Sequence, residues 1–351
     1  MNPDLAVSIG AIRLKNPLIA GSAEHLSDPD HVRRALRAGV GAVVVKSTNE
    51  SAAARRQLEA AEYAVLDSDW RQVQWNTSAP PTATIACRSG MVDVPFERWL
   101  ENAAMLDREA RACDAYVVAS LILANLDRAV EMAVAVEAAG LRVLEFNIGT
   151  PYASQAVKGA VSTELDPVRV GEIVDTIRSA IRIPLWVKLS GQSERVPDLA
   201  RAAFDAGADS VVMAGRLLGF IPDVETLEPM LGTTLGVGGF WNLPLTCHWL
   251  SLTRAALGPD RKLIGINGAQ SGLDIARMML AGASAVAMAS PVMLRGFELL
   301  SEALADLKAY LASKELTATD LIGHAADRRR SFAEMPPRLG NWREYIPNSR
   351  G

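Results

Sequence analysis

Two lysines close short apolar runs: Lys46 ends Val43-Val44-Val45-Lys46, and Lys188 ends Leu185-Trp186-Val187-Lys188. An ammonium at the tip of a buried strand is costly to desolvate, so it implies an anionic or electron-rich partner. A structural ion pair is the competing account. A third run, Leu144–Asn147, ends in an amide and turns through Ile148-Gly149-Thr150-Pro151-Tyr152. Thr150 offers a hydroxyl at the tip of that turn. As a base it needs a neighbouring acceptor for its proton, and a hydrogen bond within the turn explains it equally well. Cys87 adds a thiol that titrates nearer neutrality than an alcohol, although its Ala83-Thr84-Ile85-Ala86 context also suits a plain buried cysteine. Arg88, Arg216 and His25 are candidate anchors for an acidic ligand.

A second constellation concerns phosphate. Gly265-Ile266-Asn267-Gly268-Ala269-Gln270-Ser271-Gly272 leads from an apolar run into a helix start, and Met288-Ala289-Ser290 ends the next run. Small residues let backbone N–H groups approach an anion closely, and helix N-termini favour negative charge. Turn and cap requirements are the alternative reason for these residues.

The elements that must position these groups alternate along the chain. The apolar runs are Leu18–Ala20, Ala42–Lys46, Tyr116–Leu121, Val143–Asn147, Pro184–Lys188, Ser210–Met213, Leu263–Ile266 and Ala285–Ala287. Most lack polar interruptions, as parallel strands buried on both faces require. Helical patterns with recognisable ends separate them: Ser27-Asp28-Pro29 to Gly39, Asn125 to Gly140, and Ser271 to Gly282. Eight βα units predict a (β/α)₈ TIM barrel, with an N-terminal β-hairpin from Leu5–Ile9 and Ile12–Leu14 across its bottom. Three connections, Ser47–Val94, Ile148–Asp166 and Ala214–Trp241, read as long loops over the C-terminal face, where barrels build their sites. The expected organisation is a barrel over 1–315 and a C-terminal extension over 316–351 that packs on the barrel or on a neighbouring subunit.

Composition excludes several classes. The 351 residues carry a net charge of −4, and Arg328–Arg330 is the one dense basic run, so nucleic acid is not an expected partner. Cys87, Cys113 and Cys247 are widely spaced, which rules out a disulfide framework, an iron–sulfur motif and a self-contained metal site. No signal-peptide pattern or membrane-length apolar run is visible, so the expectation is a cytoplasmic protein with no membrane association.

Six blocks occur in order: NPLIAGSA (Asn16–Ala23), GAVVVKST (Gly41–Thr48), LEFNIGTPY (Leu144–Tyr152), PLWVKLS (Pro184–Ser190), GVGGFWNLPL (Gly236–Leu245) and INGAQSGLDIARMMLAGASAVAMAS (Ile266–Ser290). Together they resemble the dihydroorotate dehydrogenase family, FMN-dependent β/α barrels that also include the pyrimidine-reducing domain of dihydropyrimidine dehydrogenase. By position, the resemblance implies that Ala20, Gly21 and Ser22 lie beside the flavin and that Lys46 and Ser47 sit near its ring system. Asn147 and Lys188 would contact the ring, and Gly238 and Gly239 would belong to the loop before helix six. Gly268, Ala269, Ala289 and Ser290 would hold the FMN phosphate, in the same small-residue loops that suggest an anion site on their own.

The departures concern the substrate. Thr150 takes the place of the family's Cys or Ser base, Tyr152 replaces a substrate-holding asparagine, and two further asparagine positions fall near Cys87 and Ala214. The catalytic candidates are therefore Thr150, Lys46 and Cys87, and the substrate candidates are Tyr152, Cys87, Arg88 and Ala214. The expected activity is hydride transfer between flavin N5 and a CH–CH or C=C bond of a small polar, cyclic substrate other than orotate. A genuine dihydroorotate dehydrogenase with an altered site stays open beside it. So do a flavin-free phosphate-binding lyase or aldolase using Lys188 as a Schiff base, and a flavin-binding member of a larger redox complex. The expected partners are a small-molecule substrate, a second copy in a homodimer and a separate electron-transfer partner.

Overall fold

A computed structural model describes residues 3–52, 57–76, 79–149, 164–213 and 215–342. Eight parallel strands close into a barrel: β1 (Leu18–Ala20), β2 (Ala42–Val44), β3 (Tyr116–Ile122), β4 (Leu144–Asn147), β5 (Leu185–Lys188), β6 (Ser210–Met213), β7 (Leu263–Ile266) and β8 (Ala283–Met288). Each pairs with the next, and β8 pairs with β1. The helices between them are the outer ring of a TIM barrel. Their starts match the caps read from the sequence: Asp28 accepts from the Asp30 N–H, Asn125 from that of Arg128, and Ser271 from that of Asp274. The hairpin is also present, with Val7–Ile9 paired to Ile12–Leu14. Its Gly10 lies against Asp209, just ahead of β6, so it sits at the N-terminal end of the barrel.

Strand alternation and register decide which groups share the barrel mouth. On β4, Glu145 and Asn147 lie two apart and face the same way. Asn147 is in register with Ile122 on β3 and Lys188 on β5, and Glu145 with Ser120 and Trp186. Polar groups of three neighbouring strands therefore meet above a floor that includes the fully buried Trp186, while Phe146 faces the other side of the strand.

The long connections are not loops throughout. Glu62–Leu66, Gln72–Val73 and Thr84–Arg88 from the segment after β2 join Leu217–Gly219 and Leu235–Gly239 from the segment after β6. They form one five-stranded antiparallel sheet. Its central pairing sets Gly236 opposite Cys87 and Gly238 opposite Ile85. This cap sheet is not legible locally, because Leu-Gly-Val-Gly-Gly is a weak strand sequence and its partner lies some 150 positions away.

In the C-terminal extension, Ala318 and Leu321 are buried on the barrel and Arg254 makes a paired salt bridge to Asp327 at 2.6 and 2.7 Å. From Ser331 to Leu339 the chain is exposed. Among the described residues no helix is long and apolar enough to cross a membrane.

Candidate active site

The C-terminal ends of the strands and the underside of the cap sheet line a cleft that opens to solvent. Ser22, Lys46, Ser47, Asn147 and Lys188 line it from the barrel. Tyr63, Ser89, Arg216 and Gly238 line it from the cap, and Gly268, Ala269, Ala289 and Ser290 from the loops after β7 and β8.

Both strand-end lysines have carboxylate partners set behind the wall. Lys46 Nζ donates to Glu24 at 2.9 Å, and Lys188 Nζ donates to Glu145 at 3.0 Å. The Lys46 carbonyl also accepts from the Trp99 indole at 2.8 Å, which pins the backbone beneath that lysine. Glu145 accepts a second bond from Ser120 Oγ at 3.1 Å. Ser120 meets Ser47 Oγ at 2.8 Å, and Ser47 meets Ser22 Oγ at 3.2 Å. A hydroxyl chain thus joins Ser22 at the cleft wall to the buried Glu145–Lys188 pair. Every side chain in it is positioned by a neighbour, so little rotamer freedom remains to be lost on ligand binding.

Burial alone would push the Glu24 carboxyl up. The charges of Lys46 and Arg216, with the hydrogen bond from Lys46, overcome that and hold it at about 2. Tyr63 faces Glu24 and is pushed up, first by burial and then by the Glu24 charge, with a hydrogen bond toward that carboxylate adding to it. It therefore stays a neutral donor at the cleft wall. Burial drives His25 down to about 3, against the opposing pull of Glu24, and both its ring nitrogens are buried without partners among the described residues. His25 packs on Phe297 away from the cleft lining, so it is no substrate anchor.

These two shifts contribute to the acid response at the site. His25 binds a proton more readily in the unfolded chain than in the folded one, so its contribution is complete above pH 6.5 and is lost as pH falls toward 3. Glu24 adds a loss only below 4.5. Folding stability should decline between pH 6.5 and 4.5 by at most about 1.4 kcal/mol per pH unit through His25. In a His25→Gln variant, urea midpoints measured across that window should flatten; an unchanged slope would refute the assignment.

The sequence candidates divide by position. Ser22, Lys46, Ser47, Asn147, Lys188, Gly238, Gly268, Ala269, Ala289 and Ser290 line one cleft. Ala20 and Gly21 sit beneath it at the β1–β8 seam, where the Gly21 N–H donates to the Met288 carbonyl at 2.8 Å. Gly239 faces Trp241 and the Ala83 carbonyl within the cap. Cys87 is fully buried outside the lining, with its sulfur 2.7 Å from Arg216 Nη1, so it supports the guanidinium from behind rather than facing a ligand. Arg88 points outward and pairs with Glu62. Thr150, Tyr152 and Ala214 lie outside the described residues. Glu24, Tyr63, Ser89, Ser120, Glu145 and Asn267 belong to the site without being among the sequence candidates. Glu145 does carry a signal, as a carboxylate inside an otherwise apolar strand; the cap residues carry none locally.

The loops after β7 and β8 have the chemistry of an anion cradle. Among the described residues the N–H groups of Gly268 and Ala269 donate to no partner. Ser290–Arg295 is a short helix that no side chain caps; Pro291 has no N–H and Val292 N–H is taken by the Ala289 carbonyl, which leaves the Ser290 N–H without a partner among the described residues. A Cβ on Gly238 would stand 2.9 Å from Asn267 Oδ1, so the space here depends on glycine. Arg295 reaches the Gln270 carbonyl at 2.7 Å, placing a cation beneath the loop.

Residues 86–311, more than half the chain, match the dihydroorotate dehydrogenase family. The chain belongs to that family. A dihydroorotate dehydrogenase B (NAD(+)) catalytic subunit from Saccharolobus solfataricus is 30% identical over 52% of this chain and 60% of that protein. The alignment thus spans less than two thirds of that relative. A chloroplastic dihydropyrimidine dehydrogenase (NADP(+)) from Arabidopsis thaliana is 22% identical over 92% of this chain and 77% of its own length. A further dihydroorotate dehydrogenase B catalytic subunit, from Bacteroides thetaiotaomicron, is 26% identical over 81% and 86%. The closed parallel barrel is the architecture expected of a dihydroorotate dehydrogenase family member.

Proposed function

We propose that this family member is an FMN-dependent oxidoreductase acting on a CH–CH or C=C bond of a small polar ring. The observation that carries the reading is a single cleft joining the open N–H groups of Gly268 and Ala269 to Lys46, Asn147 and Lys188. These residues suit FMN: the loops after β7 and β8 would hold its phosphate, and the strand-end lysines and amide would face its ring. Bound there, FMN supplies a hydride-exchanging centre at N5, whose electronics respond to cations near the ring. Lys188, braced by Glu145 and the serine chain, keeps a positive charge at a fixed place on the wall. Lys46, braced by Glu24 and Trp99, does the same three strands away around the mouth. Thr150 is the proton-transfer group of this reading, and Tyr63 offers a neutral hydroxyl donor toward the cleft.

Absorbance of the purified protein tests the reading. A yellow protein that takes up FMN stoichiometrically supports it, and a colourless protein that does not bind FMN favours the lyase or aldolase. The Lys188–Glu145 ion pair already weighs against that alternative, since a Schiff-base lysine needs apolar or cationic surroundings.

Arg216 is the substrate-anchoring residue of this reading. Its guanidinium lines the cleft, held by Ser89 Oγ at 2.9 Å and by Cys87. Arg216→Gln should raise KM for an anionic substrate about 10- to 100-fold, the range of one charged hydrogen bond, with a smaller change in kcat. Equal losses in kcat and kcat/KM would move Arg216 out of ground-state binding. We place the preferred substrate outside dihydroorotate because Cys87, buried behind Arg216, presents no ring-binding amide. The second reading, oxidation of dihydroorotate itself, is favoured by the names of the relatives. Turnover of dihydroorotate in a substrate panel decides between them.

A further inference from the structure

The short helix Ser290–Arg295 stands between the loop after β7 and the cap sheet, and it is tied to both. Ser290, Pro291 and Met293 belong to the cleft wall. At its far end Arg295 reaches the Gln270 carbonyl of the loop after β7 at 2.7 Å. Leu294, 2% exposed, completes the core on one face of the cap together with Val65, Ile85 and Cys87. A residue that follows a barrel strand thus fills a core built otherwise from cap residues.

Trp75 closes this arrangement. The last carbonyls of a helix have no partner within it, and the Trp75 indole N–H donates to that of Met293 at 3.0 Å. The indole also meets the Tyr63 ring edge to face, with centroids 5.6 Å apart and planes at 70°. Tyr63 lines the cleft against Glu24 and lies opposite Cys87 in the cap sheet, and Cys87 supports Arg216. One side chain therefore touches both the helix beside the loops proposed to hold a phosphate and the tyrosine that leads to Arg216. Trp75 is 37% exposed and lies outside the cap strands, so the sheet pairs without it.

We propose that Trp75 is a positioning residue of the reaction, coupling occupancy of the phosphate loops to the placement of Tyr63 and Arg216 over the cleft. The proposal rests on the FMN reading of that cleft. A phosphate held by the loops would fix Ser290–Arg295, and that helix would fix the cap through Met293, Leu294 and Trp75. Coupling between two sites is reciprocal, so a ligand on Arg216 would tighten the hold on the phosphate by the same factor. A group remote from the reacting ring would thereby help to assemble the wall that meets the substrate.

Riboflavin carries the ring of FMN without its phosphate, so comparing the two isolates the effect. In the natural chain, FMN should slow hydrogen exchange in Glu62–Leu66 and Thr84–Arg88 about 5-fold more than riboflavin does, the size of one hydrogen bond. Trp75→Phe keeps a ring against Tyr63 and removes only the indole N–H. In that variant the difference in exchange should vanish, and FMN affinity should fall about 5-fold with riboflavin affinity unchanged. Trp241→Phe is the matched control, since its indole donates at 3.0 Å to Thr84 within the cap, and it should keep the difference. A Trp75 that merely stabilised the cap would lower the affinity for both flavins alike. That result would overturn the proposal, as would equal protection by FMN and riboflavin in the natural chain. A chain that binds neither flavin overturns the FMN reading and the proposal with it, whereas flavin binding indifferent to Trp75→Phe overturns the proposal alone.

Discussion

Glu145→Ala should cost about 3–5 kcal/mol of folding stability, the loss expected when one member of a buried ion pair is removed. The side chains of Glu145 and Lys188 are 2% and 10% exposed, so water cannot replace the missing carboxylate. The substitution strands two groups together, because the ammonium of Lys188 and the hydroxyl of Ser120 both donate to the same Glu145 oxygen. A domain has some 5–15 kcal/mol in total, so the expected loss is a large part of it. Lys188→Met added to Glu145→Ala should recover much of the deficit by removing the orphaned charge. Urea unfolding followed by tryptophan fluorescence measures both. Equal stability of the single and double variants would show that the pair is not an energetic unit. The pair Lys46–Glu24 should respond less, because Glu24 keeps 17% of its side chain in contact with solvent.

Gly268→Ala is the second large effect, expected in FMN retention more than in folding. Gly268 sits at φ +113°, and a Cβ there would stand 2.5 Å from both the N and Cα of Leu243. Backbone atoms cannot rotate aside as a side-chain tip can, so the loop carrying the Gly268 and Ala269 N–H groups must move away from the helix after the cap sheet. Displacing two aimed donors should weaken FMN binding at least about 10-fold, the cost of one or two misplaced hydrogen bonds to a charged group. Gly140→Ala is the matched control. It also has positive φ, +81°, but nothing lies within 4 Å of its would-be Cβ, so it carries only the left-handed strain of about 1–2 kcal/mol. Titration of apoprotein with FMN, alongside thermal unfolding, separates the two. Equal FMN affinity in the Gly268 and Gly140 variants would remove the loop from phosphate binding.

Much of the barrel is legible in the chain alone. Strands buried on both faces appear as continuous β-branched runs, and helix starts carry their own caps, so both signals are local. The strand ends then locate Lys46, Asn147 and Lys188 on the cleft, and the small residues after β7 and β8 locate the loops proposed to hold a phosphate. His25 illustrates the limit: its position after Ser22 suggests the barrel mouth, whereas its ring turns outward onto Phe297.

The order of residues thus specifies the repeating βα framework and the side chains at the tips of its strands, because periodicity and capping act within a few residues. The partners those side chains meet emerge only when the chain closes on itself. Glu145 reaches Lys188 through strand register, Glu24 reaches Lys46 through the pairing of β1 with β2, and Tyr63, Ser89 and Arg216 reach the cleft through a sheet joining segments some 150 positions apart. Pairing over such separations is selected by the energy of the closed fold, and no local pattern records it.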